Sequence, residues 1–192
     1  MAGESFRIGW KTEEPKMKPL ILISILVIVT AAASMAKAGT APLEVVPRVD
    51  VQRYLGTWYE IATIPQRFQK GCVGVTAHYS LRPNGDIDVV NVCRKETLDG
   101  RERSIRGRAW VVDKTTNAKL KVRFFWPFAG AYWIIELDKD YQWAVVGHPD
   151  RTYYWILSRT PQMDPALYDE LLRRAAAKGY DTSKIKKTLQ PS

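Results

Sequence analysis

From Tyr54 onward, short runs of β-branched and aromatic residues are separated by turns rich in Gly, Pro, Asn and Asp. Runs of this length and composition predict β-strands. There are eight of them, at residues 54–63, 73–82, 86–95, 103–113, 118–126, 131–138, 142–148 and 152–159. The segment before them, residues 39–50, contains prolines and has no clear period, so we predict an extended leader there.

Most of the links between these runs are short, which predicts that consecutive strands pair as hairpins. In "RPNGD", Pro83, Asn84 and Gly85 fit a type I turn followed by a left-handed glycine. The first link is longer and carries Phe68 among charged residues. We predict an all-β fold, an eight-stranded antiparallel up-and-down β-barrel, because closure into a barrel removes both exposed sheet edges. Such a barrel has room for one small ligand.

The pattern changes near the C-terminus, where Asp164 and Pro165 form a helix start, an N-cap acid followed by proline at the first helical position. Gly179 supplies the stop. Between them lies an apolar stripe at helical spacing, made of Leu167, Leu171, Leu172 and Ala175. We therefore predict a C-terminal α-helix packed on the outside of the barrel, followed by a short extended tail.

The N-terminal segment has the three parts of a secretory signal peptide. Lys16 and Lys18 precede an apolar stretch, and an Ala-Lys-Ala cleavage site ends at Ala38. The predicted organisation is thus a signal peptide at 1–38, the leader at 39–50 and one barrel domain at 51–192. Residues upstream of Met17 are polar, which makes Met17 an alternative start. The alternative to cleavage is a transmembrane anchor, since the apolar run is close to the roughly 17 residues that can span a bilayer.

If the protein is exported, its two cysteines are candidates for a disulfide, because cysteines of exported proteins usually pair. We predict a Cys72–Cys93 disulfide. Hairpin register places Cys93 opposite residue 75, so the bond needs a kink at Gly71 or Gly74. The cysteine spacing fits no zinc pattern and the chain has two His; we predict no metal and no other cofactor.

Composition narrows the class of partner. The chain has 29 Lys and Arg against 20 Asp and Glu, a net charge of +9. These cations are spread along the sequence rather than arranged in a stripe, which argues against a nucleic-acid partner. Seven Trp and nine Tyr are many for 192 residues. Aromatic residues in such number often line a ligand cavity, and a small aromatic core is the alternative.

Three motifs carry a family resemblance. Gly56-Thr57-Trp58 in the first strand, Asp140-Tyr141 before the seventh and Arg159 after the eighth resemble the three signature regions of the lipocalins. The resemblance runs from about residue 50 to the C-terminus. "RYLGTWYEIA", "YSLRPNGDIDVVN" and "PDRTYYWILSRTP" are most similar to bacterial lipocalins of the outer-membrane lipoprotein type and to apolipoprotein D-like members.

The resemblance implies roles for three of these residues. Trp58 would close one end of the barrel, with Arg159 laid across its ring as a cation–π pair. Gly56 would let the backbone pass close to that pair. These roles are structural, and we assign neither side chain to ligand contact.

Alternation along the strands, anchored on the family fold, predicts the side chains that line the lumen. They are Ala77, Tyr79 and Leu81 in the second strand, Ile87, Val89 and Asn91 in the third, Val122 and Phe124 in the fifth, Trp133 and Ile135 in the sixth, and Trp155 in the eighth. Such an apolar lining suits an acyl chain. The alternative is a barrel filled by its own side chains, against which the small inward residues Gly107 and Ala109 argue.

The same alternation places Glu60 and Ala62 on the face of Trp58. A buried carboxylate needs a partner, and Asn91 or an arginine is expected to supply it. We predict a structural role for Glu60, salt-bridged or protonated, in preference to a catalytic one.

The resemblance implies binding and transport or storage of a small hydrophobic ligand in the cell envelope, with a fatty acid or lysophospholipid as the expected partner. Arg67 and Lys70 could form a basic rim that meets an acidic head group. Transient contact with a membrane surface and the oligomeric state are left open. Bacterial relatives often carry a lipidated N-terminal cysteine; no cysteine precedes Cys72, so we expect a soluble periplasmic or secreted protein without a lipid anchor.

Two other functions are weighed on the same scaffold. A lipocalin-type enzyme, an isomerase or de-epoxidase, would use Cys93, Tyr79 or Glu60, but the chain has no hydrolase motif and no metal constellation. Haem binding would need an inward His or Tyr, and His78 is predicted to point outward. We predict a binding protein and not an enzyme.

Overall fold

The computed structural model describes residues 41–192. The predicted signal peptide at 1–38, with its alternatives of an anchor and of a start at Met17, lies outside the described residues. Within residues 41–192, no helix combines the length and the apolar character needed to cross a bilayer.

Eight antiparallel strands form a closed barrel. They are β1 (Gly56–Thr63), β2 (Cys72–Leu81), β3 (Ile87–Lys95), β4 (Glu102–Val111), β5 (Lys119–Phe125), β6 (Phe128–Leu137), β7 (Trp143–Gly147) and β8 (Tyr154–Ser158). Each strand pairs with the next in sequence, and β8 pairs with β1 to complete the circle. The predicted up-and-down barrel is confirmed, and the strand ends agree to within about three residues.

The hairpin between β2 and β3 has the predicted turn. The Arg82 amide donates to the Asp86 carbonyl at 2.8 Å, and Gly85 has a φ of +84°. A positive φ is readily adopted by glycine because it has no Cβ. The turn fixes the register of the two strands that carry most of the predicted lumen residues.

The predicted disulfide is present between Cys72 and Cys93, whose Cα atoms lie 5.5 Å apart. Register between β2 and β3 shifts between Val73 and Thr76, and Gly74 within that shift has a φ of +56°. This kink, at one of the two glycines named from the sequence, brings Cys72 alongside β3. The bond thereby fastens the start of β2 to the end of β3.

Two helices flank the strands. The short helix α1 (Val51–Tyr54) leads into β1, and the sequence had indicated no helix there. The predicted C-terminal helix is α2 (Pro165–Ala177), capped by the Asp164 side chain, which accepts from the Leu167 amide at 2.9 Å. Its buried face consists of Tyr168, Leu171 and Ala175.

The buried apolar residues form two clusters on opposite sides of the barrel wall. The inner cluster fills the barrel interior around Trp58 and Val89. The outer cluster joins the buried face of α2 to the outside of the wall, through Ile135, Val145 and Ile156. Because α2 packs on the outside, as predicted, the strands beneath it are covered on both faces.

The C-terminal tail closes a gap in the barrel wall. Strands β1 and β2 pair only over residues 56–59 and 76–79. Beyond that point the two-residue strand β9 (Lys186–Lys187) pairs with the end of β1. The Gly74 amide donates to the Leu189 carbonyl at 2.7 Å, and Gln190 Nε2 donates to the carbonyls of Glu60 and Val75, each at 2.9 Å. The tail, which the sequence predicted only as extended, is therefore part of the wall.

Candidate functional site

One end of the barrel is closed by a buried aromatic ring under a guanidinium. Trp58 has no exposed surface, and Arg159 Cζ lies 3.8 Å from the centre of its ring. Arg159 also donates to three backbone carbonyls, those of Tyr141 at 3.2 Å, Thr57 at 2.9 Å and Arg53 at 2.8 Å. The predicted cation–π contact is present, and the guanidinium joins three separate segments at the closed end.

Gly56 lies directly beneath this guanidinium. Its φ is +93°, and a Cβ there would meet Arg159 Nη1 at 3.4 Å. The positive φ favours glycine here, whereas a Cβ at that distance from Nη1 would make an ordinary van der Waals contact. The Trp58 indole N–H donates to the Tyr54 carbonyl at 2.8 Å, so the ring is held from both sides.

Burial of the inward-facing side chains changes along the barrel axis. Near the closed end, inward residues such as Val89, Ala109 and Leu120 are fully buried in the inner cluster. Toward the open end, the inward residues of the same strands keep accessible surface. We call this second set the cup, and it consists of Ala77, Asn91, Val122, Phe124, Tyr132 and Trp155. The lower half of the barrel is thus packed core, while the inward side chains of the upper half are only partly buried.

The residues predicted to line the lumen divide into three groups. Seven lie in or against the inner cluster: Ala77, Tyr79, Ile87, Val89, Val122, Phe124 and Trp155. Asn91 pairs opposite Ala77 and shares its inward face. Whether any of them contacts a ligand stays a prediction, and Tyr79, Ile87 and Val89 lie in the packed half below the cup.

Leu81 does not belong to the lumen. It is 44% exposed and lies in neither apolar cluster. It is the last residue of β2, directly before the turn at the closed end. The inward alternation is correct up to Tyr79, but the strand runs past the packed interior.

The assignment of Trp133 and Ile135 to the lumen is wrong. Both belong to the outer cluster, and their neighbours Tyr132 and Ile134 face inward. A further register shift falls between Ile134 and Glu136. A strand covered on both faces has no polar side to reveal its register, and a one-residue error inverts every side chain.

Small inward residues do not all leave space. A Cβ on Gly107 would lie 2.7 Å from Cδ1 of Phe124 and 2.8 Å from the Arg123 carbonyl. The Phe124 ring therefore occupies the volume that Gly107 was expected to leave open. The cup is bounded on this side by that ring.

Three tyrosine hydroxyls meet at the floor of the cup. Tyr132 Oη lies 2.9 Å from Tyr54 Oη and 3.0 Å from Tyr79 Oη. Burial raises the pKa of Tyr79 to about 12 and the pKa values of Tyr54 and Tyr132 well above their ordinary value. All three hydroxyls are therefore neutral at physiological pH. The two hydrogen bonds among these hydroxyls use two of the three hydroxyl protons, so one O–H remains free to donate to another group. Of the three tyrosines, Tyr132 is the one whose side chain keeps accessible surface.

A second polar group faces the interior without a partner. The Oδ1 atom of Asn91 is buried and accepts no hydrogen bond in the described structure. Unpaired buried acceptors are uncommon, because each costs about 1–3 kcal/mol. With the spare tyrosine proton, the barrel interior offers one neutral acceptor and one neutral donor in an otherwise apolar lining.

Glu60 is buried, as predicted, but its partners differ from those expected. Thr188 Oγ1 donates to Glu60 Oε1 at 2.6 Å, and Gln69 Nε2 donates to Oε2 at 3.0 Å. Neither Asn91 nor an arginine contacts the carboxyl group in the described structure. The carboxyl group instead joins the C-terminal tail to the loop after β1. A register shift after Glu60 also turns Ala62 to the outer cluster, away from the predicted inward face.

Replacing Glu60 by glutamine should change how stability depends on pH. Burial raises the pKa of Glu60 above its ordinary 4.5, and the two hydrogen bonds oppose this only in part. The folded state therefore binds the proton more tightly than the unfolded state does. As a result, the free energy of unfolding must fall as pH rises from about 4.5 through the folded pKa. Glu60→Gln should flatten this decline and equal or exceed the wild type in stability at pH 7.

Urea unfolding of both proteins at several pH values between about 4 and 8 measures this difference. Glu44 is exposed on the leader, so Glu44→Gln is the matched control and should follow the wild-type profile. Parallel curves for wild type and Glu60→Gln would contradict a buried, proton-binding carboxyl group.

Several site residues were not apparent from the sequence. Tyr132 was missed because the predicted register of β6 was off by one residue. Thr188 and Gln69 were missed because they lie in segments without strand periodicity. The abundance of tyrosine is the one compositional signal for the hydroxyl cluster, and it does not say which tyrosines meet. Cys93, weighed as a catalytic nucleophile, is oxidised in the disulfide.

Comparison with known proteins agrees with this geometry. A family profile described as "Lipocalin-like domain" matches residues 49–190. Temperature-induced lipocalin-1 of Arabidopsis thaliana is 45% identical over 157 residues, 77% of this chain and 83% of that protein. The outer membrane lipoprotein Blc of Escherichia coli K12 is 42% identical over 171 residues, 86% and 96% of the two chains. The structure of insecticyanin from the tobacco hornworm Manduca sexta matches with a TM-score of 0.62 at 21% identity, covering 80% of this chain and 88% of that one, which is a likeness of fold.

Proposed function

Because the chain belongs to the lipocalin family, whose relatives here support binding of a small hydrophobic ligand, we propose that the cup holds one fatty acid or lysophospholipid. The observation that carries this proposal is the change in burial along the barrel axis. A barrel filled by its own side chains would bury its inward residues at both ends. Here the apolar side chains of the upper half remain accessible, although they face inward.

The acyl chain would enter the cup, and the polar head would stay at the open end. Burial of apolar surface contributes about 25 cal/mol per Å² before the costs of association. The cup contains neutral polar atoms only, whereas the open end carries Arg67, Lys70 and Arg103. Arg103 pairs opposite Cys93, at the open end of β4. Cations at the mouth complement a carboxylate or phosphate, which supports this orientation.

Transport or storage in the cell envelope, by an exported and soluble protein, completes the proposal. It needs no covalent chemistry. Oxidation of Cys93 in the disulfide leaves no free thiol in the chain, which speaks against a thiol-dependent isomerase on this scaffold. Tyr79 and Glu60, the other residues weighed for catalysis, are hydrogen-bonded to protein side chains.

Native mass spectrometry of protein purified without delipidation tests the proposal. We expect an adduct with the mass of a lipid that is lost on collisional activation. Titration of delipidated protein with palmitate, and separately with palmitoyl-lysophosphatidylcholine, should change tryptophan fluorescence, because Trp155 lies in the cup. Protein that purifies empty and shows no response to either compound would overturn the proposal.

A further inference from the structure

Aromatic side chains project into solvent at the open end of the barrel. The turn between β5 and β6 carries Phe125, Trp126 and Phe128, which are 68%, 82% and 79% exposed. We call these three residues the aromatic tip. Phe68, in the loop between β1 and β2, is 73% exposed. These four are all the exposed Phe and Trp residues among residues 41–192, and both segments lie at the open end.

The two segments flank the mouth from opposite sides. Around the barrel, four strands lie between the β5–β6 turn and the β1–β2 loop in either direction. A flat surface placed against the open end would therefore touch the aromatic tip and Phe68 together. Large exposed apolar side chains in solution mark a surface that is covered by something else.

Cations lie next to the aromatic tip on the outer barrel wall. Arg106 projects from β4, and Lys121 and Arg123 project from β5. Arg123 precedes Phe125 by two residues, about 7 Å along a strand. In the described structure none of the three has a carboxylate within ion-pair distance, whereas the neighbouring Arg108 pairs with Asp86 at 2.5 Å. We call Arg106, Lys121 and Arg123 the cationic flank.

The cationic flank lies beside a fourth arginine, Arg108, which is already paired with Asp86. Arg108 and Arg123 are direct cross-strand partners. Trp110 lies beside both, 5.5 Å from the Arg108 guanidinium and 5.8 Å from that of Arg123, and helps to hold them. The three cations of the flank, which have no carboxylate within ion-pair distance in the described residues, complement an anionic surface.

We propose that the open end docks on an anionic lipid bilayer, with the aromatic tip inserted at the interface and the cationic flank against acidic head groups. Aromatic side chains prefer the membrane interface, and each nearby cation strengthens attraction to anionic lipid. This inference goes beyond ligand binding, because docking does not require an occupied cup. If the cup binds lipid as proposed, docking places the mouth of the cup against the bilayer. An acyl chain can then pass from the bilayer into the cup without crossing water.

Flotation with lipid vesicles tests the docking. Two vesicle compositions serve, phosphatidylcholine alone and phosphatidylcholine with about 30% phosphatidylglycerol. We expect the wild type to partition at least about tenfold more strongly onto the anionic vesicles, and added salt to weaken this preference. Flotation measures membrane binding directly and does not use tryptophan fluorescence. A fluorescence change caused by ligand uptake into the cup therefore does not affect the result.

Two variants separate the contributions. Phe125→Ser/Trp126→Ser/Phe128→Ser should reduce partitioning onto both compositions by at least about tenfold. Arg106→Gln/Lys121→Gln/Arg123→Gln should remove the preference for the anionic vesicles and leave binding to phosphatidylcholine unchanged. Matched controls lie at the closed end: Val112→Ser for the aromatic tip and Lys114→Gln/Lys139→Gln for the cationic flank. Both controls should partition like the wild type.

The proposal is overturned if the wild type does not float with anionic vesicles, or if both variants float as it does. Concentration-dependent self-association through the aromatic tip, detected by size-exclusion chromatography without vesicle binding, would assign the surface to a second copy of the chain instead. A variant that blocks the cup, Ala77→Trp, should still dock on vesicles. Docking and ligand binding can therefore fail independently of one another.

Discussion

Replacing Ala77 with tryptophan is expected to weaken fatty-acid binding at least about 100-fold while leaving the barrel folded. Ala77 lies on the inner face of β2, opposite Trp58 on β1 and Asn91 on β3, and keeps accessible surface within the cup. An indole at this position would occupy the volume that the acyl chain needs. Loss of most of the buried apolar contact would remove several kcal/mol of binding free energy, and each 1.4 kcal/mol is about tenfold.

Overpacking of a filled core typically costs about 1–3 kcal/mol of stability. We expect Ala77→Trp to cost less than that, because Ala77 is only partly buried. Isothermal titration calorimetry with palmitate measures binding without interference from the added tryptophan. Ser80→Trp is the matched control, since Ser80 is exposed on the opposite face of the same strand. Should Ala77→Trp bind palmitate as tightly as the wild type, the ligand does not occupy the cup.

Truncation of the buried ring at the closed end should have the largest effect on stability. Trp58→Ala removes a fully buried indole from the centre of the inner cluster. Comparable truncations of buried aromatic residues cost about 3–5 kcal/mol. Because a typical domain has only about 5–15 kcal/mol of stability, this variant should lose at least about a fifth of its free energy of unfolding. Urea denaturation followed by circular dichroism gives the value.

Variants of Arg159 separate charge from hydrogen bonding at the same end. Arg159→Lys retains a cation over the Trp58 ring but cannot reach three carbonyls at once. We expect it to lose about 1–3 kcal/mol, less than Trp58→Ala. Trp110→Ala, on the half-buried outer wall, is the control and should cost less than either. A loss for Trp58→Ala no larger than for Trp110→Ala would show that the closed end does not depend on the indole.

The strands could be predicted from sequence because turn-forming residues stand at both ends of most of them. Glycine, proline and asparagine in the turns delimit runs such as 86–95, and the turn at Gly85 fixes the pairing of β2 with β3. Alternation from that register gives the inward faces of β2 and β3 correctly as far as Leu81, which is exposed at the closed end. Polar residues on the outer face of these strands and their neighbours, such as Arg106 and Lys121, keep the alternation visible.

The orientation of β6 could not be predicted for the converse reason. Its outer face packs against α2 through Ile135 and its inner face carries Tyr132 and Ile134, so that both faces are apolar or aromatic. The hydrogen-bond partners of Glu60 could not be predicted for another reason. Alternation identifies an inward carboxylate, but Thr188 is 128 positions away in the sequence. No local pattern reports a contact of that range.

Closure of the wall by the C-terminal tail has a consequence for the order of folding. Gln190 bridges Glu60 and Val75, so the seam between the first two strands is completed by a residue more than 100 positions later in the sequence. Contacts that span 130 positions carry a large loop-closure entropy and place the protein among the slower-folding topologies. A nascent chain that has not yet reached residues 186–190 would leave two backbone edges open to pairing with other chains. The barrel wall is therefore completed only after Gln190 has been synthesised.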